Sequence, residues 1–391
     1  MMIPRVATNT LSQLSTEYPV VVVTGPRQSG KSTLVRNVFQ EKPYVSLEDL
    51  DERMFATEDP RGFLSRYPDG AILDEVQHCP GLFSYIQTIV DQGSRQGLFI
   101  LTGSQQFGLL NGITQSLAGR AGLLSLLPFS LAELEEAGKK VGALESLLFS
   151  GLYPPIHDRP VDPGRWYGNY VRTYLERDVR QLLQVKDLST FQRFLRMCAG
   201  RTGQLTNYSS LANDIGVTHN TAKSWLSILE ASYIVYFVRP HHQNFNKRLI
   251  KAPKLYFYDT GLVSWLLGIE TPSQILTHPS FGAIFETFVT GEILKAHTHR
   301  AIEPRLSFWQ DRSGHEVDLL VERKSRTTPV EIKAGRTVTP DFFKGLELWR
   351  KMAGSDSGEG IVVYGGELPQ ERESGWHVLP WRRIDSFTAG I

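Results

Sequence analysis

Three observations predict an α/β chain built on a parallel sheet. An unbroken β-branched run at 20–23 leads into a glycine loop and a helix, an apolar run at 71–73 ends in two acids, and another at 98–101 ends in hydroxyls. At 391 residues the chain exceeds one ordinary core, and three domains are expected, over 1–140, 141–270 and 271–391. Apolar residues at 41% and charged residues at 21% exclude the disordered, fibrous and membrane classes. The formal charge of +1 exerts no global pull on nucleic acid or acidic lipid, so such binding has to come from a local patch. Cys79 and Cys198 belong to no CxxC pair or Cys/His cluster, which matches a reducing setting and shows no zinc site. No stretch approaches the roughly eighteen apolar residues of a membrane span, so a soluble, cytoplasmic protein with no membrane partner is expected.

Pro19 to Thr24 reads as a strand buried on both faces, and it ends in Gly25-Pro26-Arg27-Gln28-Ser29-Gly30-Lys31-Ser32, followed by Thr33. Leu34, Val35, Val38 and Phe39 then share one helical face. Strand, G-x-x-x-x-G-K-S and helix in this order make a P-loop, in which backbone N–H groups and the helix N-terminus surround phosphates. ATP is the expected ligand, with Lys31 on its β and γ phosphates and Ser32 on Mg²⁺. The strand from Gly70 ends in Asp74-Glu75 at the sheet's carboxyl edge, where ligands bind. Asp74 is expected to hold the magnesium through its water shell and Glu75 to polarise the attacking water. At the end of the next strand Ser104 is the first choice for a γ-phosphate sensor and Thr102 the alternative, while either is also able to cap the next helix. Arg120 is expected at a helix-to-strand corner on the sheet's ligand edge, where AAA-type proteins often place an arginine finger. The finger, acting on a neighbouring subunit in a homo-oligomer, stands against a surface Arg paired with a carboxylate.

Tyr167, Val171, Tyr174, Leu175 and Val179 recur at helical spacing and predict one amphipathic helix over 166–185. Arg177 on it is either a second nucleotide sensor or a partner of Glu176 and Asp178. Residues 209–226 read as helix, glycine turn and Thr218-capped helix, a helix-turn-helix. Two apolar strands follow, Tyr233 to Val238 and Lys254 to Tyr258. Their connection carries Arg239, His241, His242, Lys247, Arg248 and Lys251 and no acid. This predicts a winged helix whose Thr218-to-Trp225 helix enters a DNA major groove while the wing contacts phosphate, or a rigid lid or docking surface for protein.

In the last segment Glu286 lies beside the apolar stripe Phe285, Val289 and Ile293, and Asp318 sits inside the apolar strand 317–321. Glu331 and Lys333 share one face of the strand 330–333. The order Glu, Asp, Glu-x-Lys is that of a PD-(D/E)xK nuclease core, in which Glu286, Asp318 and Glu331 ligate metal and Lys333 assists the reaction. The alternative is a buried ion pair between Lys333 and Asp318 or Glu331. The expected fold class is therefore a P-loop NTPase parallel sheet, then a winged helix-turn-helix, then an α/β restriction-endonuclease-like domain.

Together these residues resemble a prokaryotic family of ATP-binding proteins with an AAA-type ATPase followed by a C-terminal domain of unknown function with a nuclease-like core. The marks are the P-loop, Leu-Asp-Glu-Val-Gln at 73–77, Leu-Thr-Gly-Ser at 101–104 and Leu-Ala-Gly-Arg at 117–120. Tyr-Leu-Glu-Arg-Asp-Val at 174–179, Asp-Thr-Gly-Leu at 259–262, Phe-Glu at 285–286, Glu-Val-Asp at 316–318 and Glu-Ile-Lys at 331–333 continue them. The resemblance implies an ATPase with a nuclease-like module and names no substrate. The leading expectation is an ATP-driven switch or motor acting on DNA. Its rival is an ATP-gated module that binds a protein partner and cuts nothing.

Overall fold

The computed structural model describes residues 3–104, 115–175, 188–241, 251–311, 313–323, 326–354 and 357–390. Arg177 with its acidic neighbours, and His242, Lys247 and Arg248 of the expected wing, lie outside the described residues.

Strand β1 (Val20–Thr24) forms from the β-branched run and is buried throughout, as a strand covered on both faces must be. It joins β2 (Tyr44–Ser46), β3 (Ala71–Asp74), β4 (Phe99–Gly103) and β5 (Ala121–Ser125) in a parallel sheet of order β2-β3-β4-β1-β5. Alternation along β1 divides the packing between the two faces. Val20 and Val22 pack with Leu73, Leu101, Phe83 and Ile86, and Val21 and Val23 pack with Leu11, Leu34, Val35 and Ile100.

Because the strands are parallel, the segments after β1, β3 and β4 leave from one edge and bring the P-loop, Glu75 and Ser104 together. The same direction corrects the expected place of Arg120. Ala121 pairs with Val20, and the Val20 N–H donates to the Arg120 carbonyl at 3.2 Å, so Arg120 enters at the amino edge, opposite the ligand edge. The five residues of β5 put about 16 Å between them.

The helix Pro163–Tyr170 passes into a π-helical turn at Val171–Leu175, where a continuous amphipathic helix was expected. Further on, the helix Tyr208–Ile215 ends at Gly216 in the left-handed region (φ 79°), and Thr218 caps the helix His219–Ala231 by accepting from the Thr221 N–H at 3.1 Å. A two-residue strand β6 (Gln204–Leu205) pairs with β8 (Lys254–Phe257), which is antiparallel to β7 (Val235–Pro240).

This hairpin is not a free-standing wing. Arg239 and Pro240 of β7 pair in parallel with Ser307 and Phe308 of β9 (Leu306–Gln310). The resulting sheet has nine strands, continuing through β10 (Glu316–Arg323), β11 (Arg326–Lys333) and β12 (Ile361–Tyr364) to β14 (His377–Pro380) and β13 (Gln370–Glu371).

The helix Phe281–Thr298 is buried all round from Thr287 to His297, so its polar groups need internal partners. Thr287 shares a 2.7 Å hydrogen bond with Thr202, and Glu292 accepts from the Leu131 N–H at 2.8 Å. One continuous apolar core runs from Leu127 through Tyr167, Trp225 and Phe257 to Phe288 and Trp381, and so crosses residue 270 without a break. No described helix is long and apolar enough to cross a membrane.

Candidate nucleotide-binding site

Two positions of the loop after β1 require glycine. Gly25 has φ +141°, and a Cβ there would stand 2.1 Å from the Leu126 carbonyl oxygen. Gly30, at φ +92°, sits at the N-cap of the helix Lys31–Val38 and turns the chain into it. Lys31 is buried at the first turn, where its Nζ donates to the carbonyls of Gly25 at 3.0 Å and Pro26 at 2.9 Å. Burial lowers its pKa to about 8, against the opposing pull of Glu75 and Asp74. The Ser29 hydroxyl is buried beside it with no partner among the described residues, a donor that a phosphate oxygen would satisfy.

Ser32 Oγ donates to both carboxylate oxygens of Asp74 at 3.0 Å, and Asp74 also receives the Tyr44 hydroxyl at 2.5 Å and the Thr102 hydroxyl. Hydroxyl and carboxylate oxygens in mutual contact at the mouth of a P-loop suit a hard cation, so Ser32 and Asp74 would hold Mg²⁺. Bound there, Mg²⁺ supplies positive charge to the phosphates. Glu75 adopts the left-handed conformation (φ 56°, ψ 45°), which ends β3 sharply. Its carboxylate accepts from Ser104 Oγ at 2.9 Å and from the Gln77 amide, and its own N–H donates to Thr102 Oγ1 at 3.3 Å. Burial opposes ionisation of Glu75, but Lys31, Gln77, Arg27 and Ser104 outweigh it and hold its pKa below the ordinary value.

These groups border a cavity of about 570 Å³, within the roughly 300–1,000 Å³ of small-molecule sites. Arg27, Gln28, Gly30, Lys31, Ser32, Thr33, Asp74 and Glu75 form one wall. Ile3, Pro4, Phe129, Pro154 and Pro155 give an apolar portion, and Asp158 and Arg159 stand at the rim. Of the expected site residues, Ser104 reaches the site through Glu75 and does not line the cavity. Arg120 lies elsewhere and donates to Asp91 through Nε at 2.5 Å and Nη2 at 2.9 Å.

Several residues here were not anticipated. Arg5 lines the cavity and donates to the Ser29 carbonyl at 2.8 Å, the Leu127 carbonyl at 2.7 Å and Glu133 at 3.0 Å. Glu133 is fully buried and also closes a capping box with Ser130, so the Ser-x-x-Glu spacing was the available signal for its place. Tyr44 and Arg5 belong to no motif. Tyr233, from the turn before β7, donates its hydroxyl to Thr24 Oγ1 at 2.8 Å, directly before the P-loop.

The C-terminal residues also converge. Lys333 Nζ lies 2.9 Å from Asp318 Oδ2 and 2.5 Å from Glu331 Oε2, and the Ile332 N–H donates to the same Asp318 oxygen at 2.8 Å. Glu286 accepts from Lys254 at 3.0 Å and from the Tyr256 hydroxyl at 2.5 Å, both residues of β8. Among the described residues no group of three or more His, Cys, Asp or Glu is arranged to hold a metal ion.

The loop, the paired acids and the parallel sheet define an AAA-type P-loop ATPase domain, and residues 17–135 match the family described as AAA domain. Residues 141–273 and 281–384 match two domains of unknown function, DUF8612 and DUF4143. The chain is 33% identical over 332 residues to Uncharacterized protein Rv2008c of Mycobacterium tuberculosis and equally to Uncharacterized protein Mb2031c of Mycobacterium bovis. Each alignment covers 84% of this chain and 73% of the relative, and the chain belongs to their family. Among solved structures, the Walker-type ATPase PABY2304 of Pyrococcus abyssi is 15% identical, with 66% of this chain and 94% of that one covered and a TM-score of 0.42. AMPPCP-bound DnaA from Aquifex aeolicus is 14% identical, with 57% and 86% covered and a TM-score of 0.31.

Proposed function

We propose that the chain binds ATP with Mg²⁺ and hydrolyses it, and uses the cycle to change its hold on DNA. The observation that carries the ATPase reading is the meeting of Lys31, Ser32, Asp74 and Glu75 at one cavity wall, with Ser104 fixing the glutamate. In this reading Lys31 leaves the two loop carbonyls for the β and γ phosphates, and the loop N–H groups hold the phosphate oxygens. Glu75, kept ionised by its neighbours, orients and polarises the attacking water. Phosphate release from ATP tests this. Glu75→Gln should bind ATP as the wild type does and turn it over at least 100-fold more slowly, about 2.7 kcal/mol in barrier. Wild-type turnover in that variant would move the catalytic role elsewhere.

DNA is the favoured partner because the helix His219–Ala231 exposes Thr218, His219, Asn220, Lys223 and Ser224 while burying Ala222, Trp225, Leu226 and Leu229. Binding to a labelled duplex should weaken steeply from about 50 to 200 mM salt and weaken further in Lys223→Glu. No binding at low salt would favour a protein partner on the same face. An ATPase domain over 1–140, segments at 141–270 and 271–391 that share one apolar core, a cytoplasmic setting and a homo-oligomer complete the proposal. For the C-terminal segment, the meeting of Asp318, Glu331 and Lys333 supports the nuclease-like reading, and the lysine on these acids supports the structural one.

A further inference from the structure

The peptide that joins Ser29 to Gly30 lies between two residues in the left-handed region, Gln28 at φ 66° and Gly30 at φ +92°. Left-handed residues within a loop are how successive backbone N–H groups are gathered into a concavity for an anion. Glycine has no Cβ to restrict the peptide units beside it, so its freedom has to be removed by a bond from elsewhere. In a trans peptide the N–H points opposite to the carbonyl, and whatever holds the Ser29 carbonyl also fixes the direction of the Gly30 N–H.

Arg5 holds that carbonyl. Its Nη1 donates to Ser29 at 2.8 Å, its Nη2 to the Leu127 carbonyl at 2.7 Å and its Nε to Glu133 at 3.0 Å. The guanidinium stands 4.9 Å from the Phe129 ring centroid, and a Cβ at Gly30 would lie 3.7 Å from Nη1. The Arg5 side chain is 7% exposed and that of Glu133 is fully buried. Each anchor is fixed in turn. Glu133 also accepts from the Val6 N–H at 2.8 Å and the Ser130 N–H at 2.9 Å. Ala7 and Leu11, on the helix Ala7–Glu17 that follows Arg5, pack with Val21 and Val23 of β1. Burying a guanidinium and a carboxylate is costly, and apolar side chains in their place are often as stable or more so. What this pair supplies is a fixed geometry at the loop.

We propose that Arg5 is a positioning residue of the phosphate loop, which sets the Ser29 peptide so that the loop N–H groups meet the polyphosphate of the nucleotide. This role rests on the ATP reading of the site, and it adds the residue that keeps the empty cradle in its binding shape. A planar group with donors in several directions serves Ser29, Leu127 and Glu133 at once. An ammonium on a flexible stem carries the same charge and does not hold three acceptors from separate segments in register. Because Arg5 acts on the loop, its loss should weaken the hold on phosphate and spare the hold on the nucleoside.

The test is calorimetric titration of the full chain, in the presence of Mg²⁺, with ATP and with inorganic tripolyphosphate. Wild type, Arg5→Lys and Arg5→Met are compared, each shown by thermal unfolding to be folded at the titration temperature. Arg5→Lys keeps the charge and loses the fork. It should bind both ligands about 10- to 100-fold more weakly than the wild type and by the same factor, the worth of one hydrogen bond from a charged donor. Arg5→Met should lose at least as much, and if it does not fold, Arg5→Lys alone decides. Unchanged affinity in Arg5→Lys overturns the role, as does a loss confined to ATP, which would put Arg5 at the nucleoside end. Wild type that takes ATP and not tripolyphosphate at millimolar concentration overturns it too, because the loop would then not hold phosphate by itself. If both variants unfold, Arg5 is a prop of the fold and the role is overturned. Absence of ATP binding by the wild type would contradict the ATP reading, and the role with it.

Discussion

Lys31 is a charged group buried at a cost to the fold. Its ammonium is buried, and a pKa lowered from 10.5 to about 8 corresponds to a penalty of about 3 kcal/mol on the charged form. Two hydrogen bonds to carbonyls return roughly 1 kcal/mol each. Lys31→Met should therefore stabilise the nucleotide-free protein by about 1 kcal/mol at pH 7, read from urea midpoints. The pH dependence follows from the direction of the shift. With the folded pKa below the unfolded one, the unfolded chain binds more protons between pH 8 and 10.5, so wild-type stability from this group rises over that window. The advantage of Lys31→Met should shrink across the same window, and an advantage constant to pH 10 would show that Lys31 carries no burial penalty. Glu75 differs from Lys31 in that its neighbours over-compensate its burial and keep it ionised.

At the scale of elements, the segment after β5 ties the P-loop to the helix Phe281–Thr298. Arg5 joins the Ser29 carbonyl to Glu133, and Glu133 lies 3.6 Å from His299, just past the end of that helix. His299 Nε2 accepts from the Leu127 N–H at 3.2 Å, so it serves as a neutral acceptor. Burial depresses its pKa from 6.5 to about 3, against the pull of Glu133. A histidine with a lowered folded pKa contributes stability fully above its unfolded value and loses it as pH falls through the window between 6.5 and 3. His299→Gln keeps an acceptor and removes the titration, so its stability should fall less steeply with acid between about pH 6 and 4 than the wild type's. Identical slopes would place the acid sensitivity elsewhere.

Elements whose cause is local were legible in the sequence. Strand β1, the glycine loop and its helix lie within twenty residues of one another, and Glu331 and Lys333 share a face through the two-residue period of a strand. What depended on chain direction or distant pairing was not. The edge at which Arg120 lies follows from the parallel register of β5, and the partners of Lys254 are Glu286 and Glu316, on a later helix and strand. Arg5 finds Glu133 across more than a hundred residues, and no periodicity marks such a pair.

For the whole molecule, the parallel sheet has its own two apolar faces, while one large core runs from Leu127 to Phe387 and two smaller clusters, around Trp309 with Trp349 and around Tyr364 with Trp376, pack within the C-terminal segment. The contacts between these parts gather around the nucleotide cavity. Tyr233 touches Thr24 before the P-loop, Arg5 donates to Glu133 at 3.0 Å, and Pro154 and Pro155 line the cavity itself. A ligand entering there meets residues from both parts, which is how a nucleotide would change the relation of the distal region to the sheet. All of this rests on ATP binding at Lys31, and the most direct measurement is a calorimetric titration of ATP with Mg²⁺ into the wild type and Lys31→Ala, both shown to be folded. Wild-type binding at one site per chain, lost by at least 100-fold in the variant, is the predicted result. Equal affinity in the two proteins would contradict it.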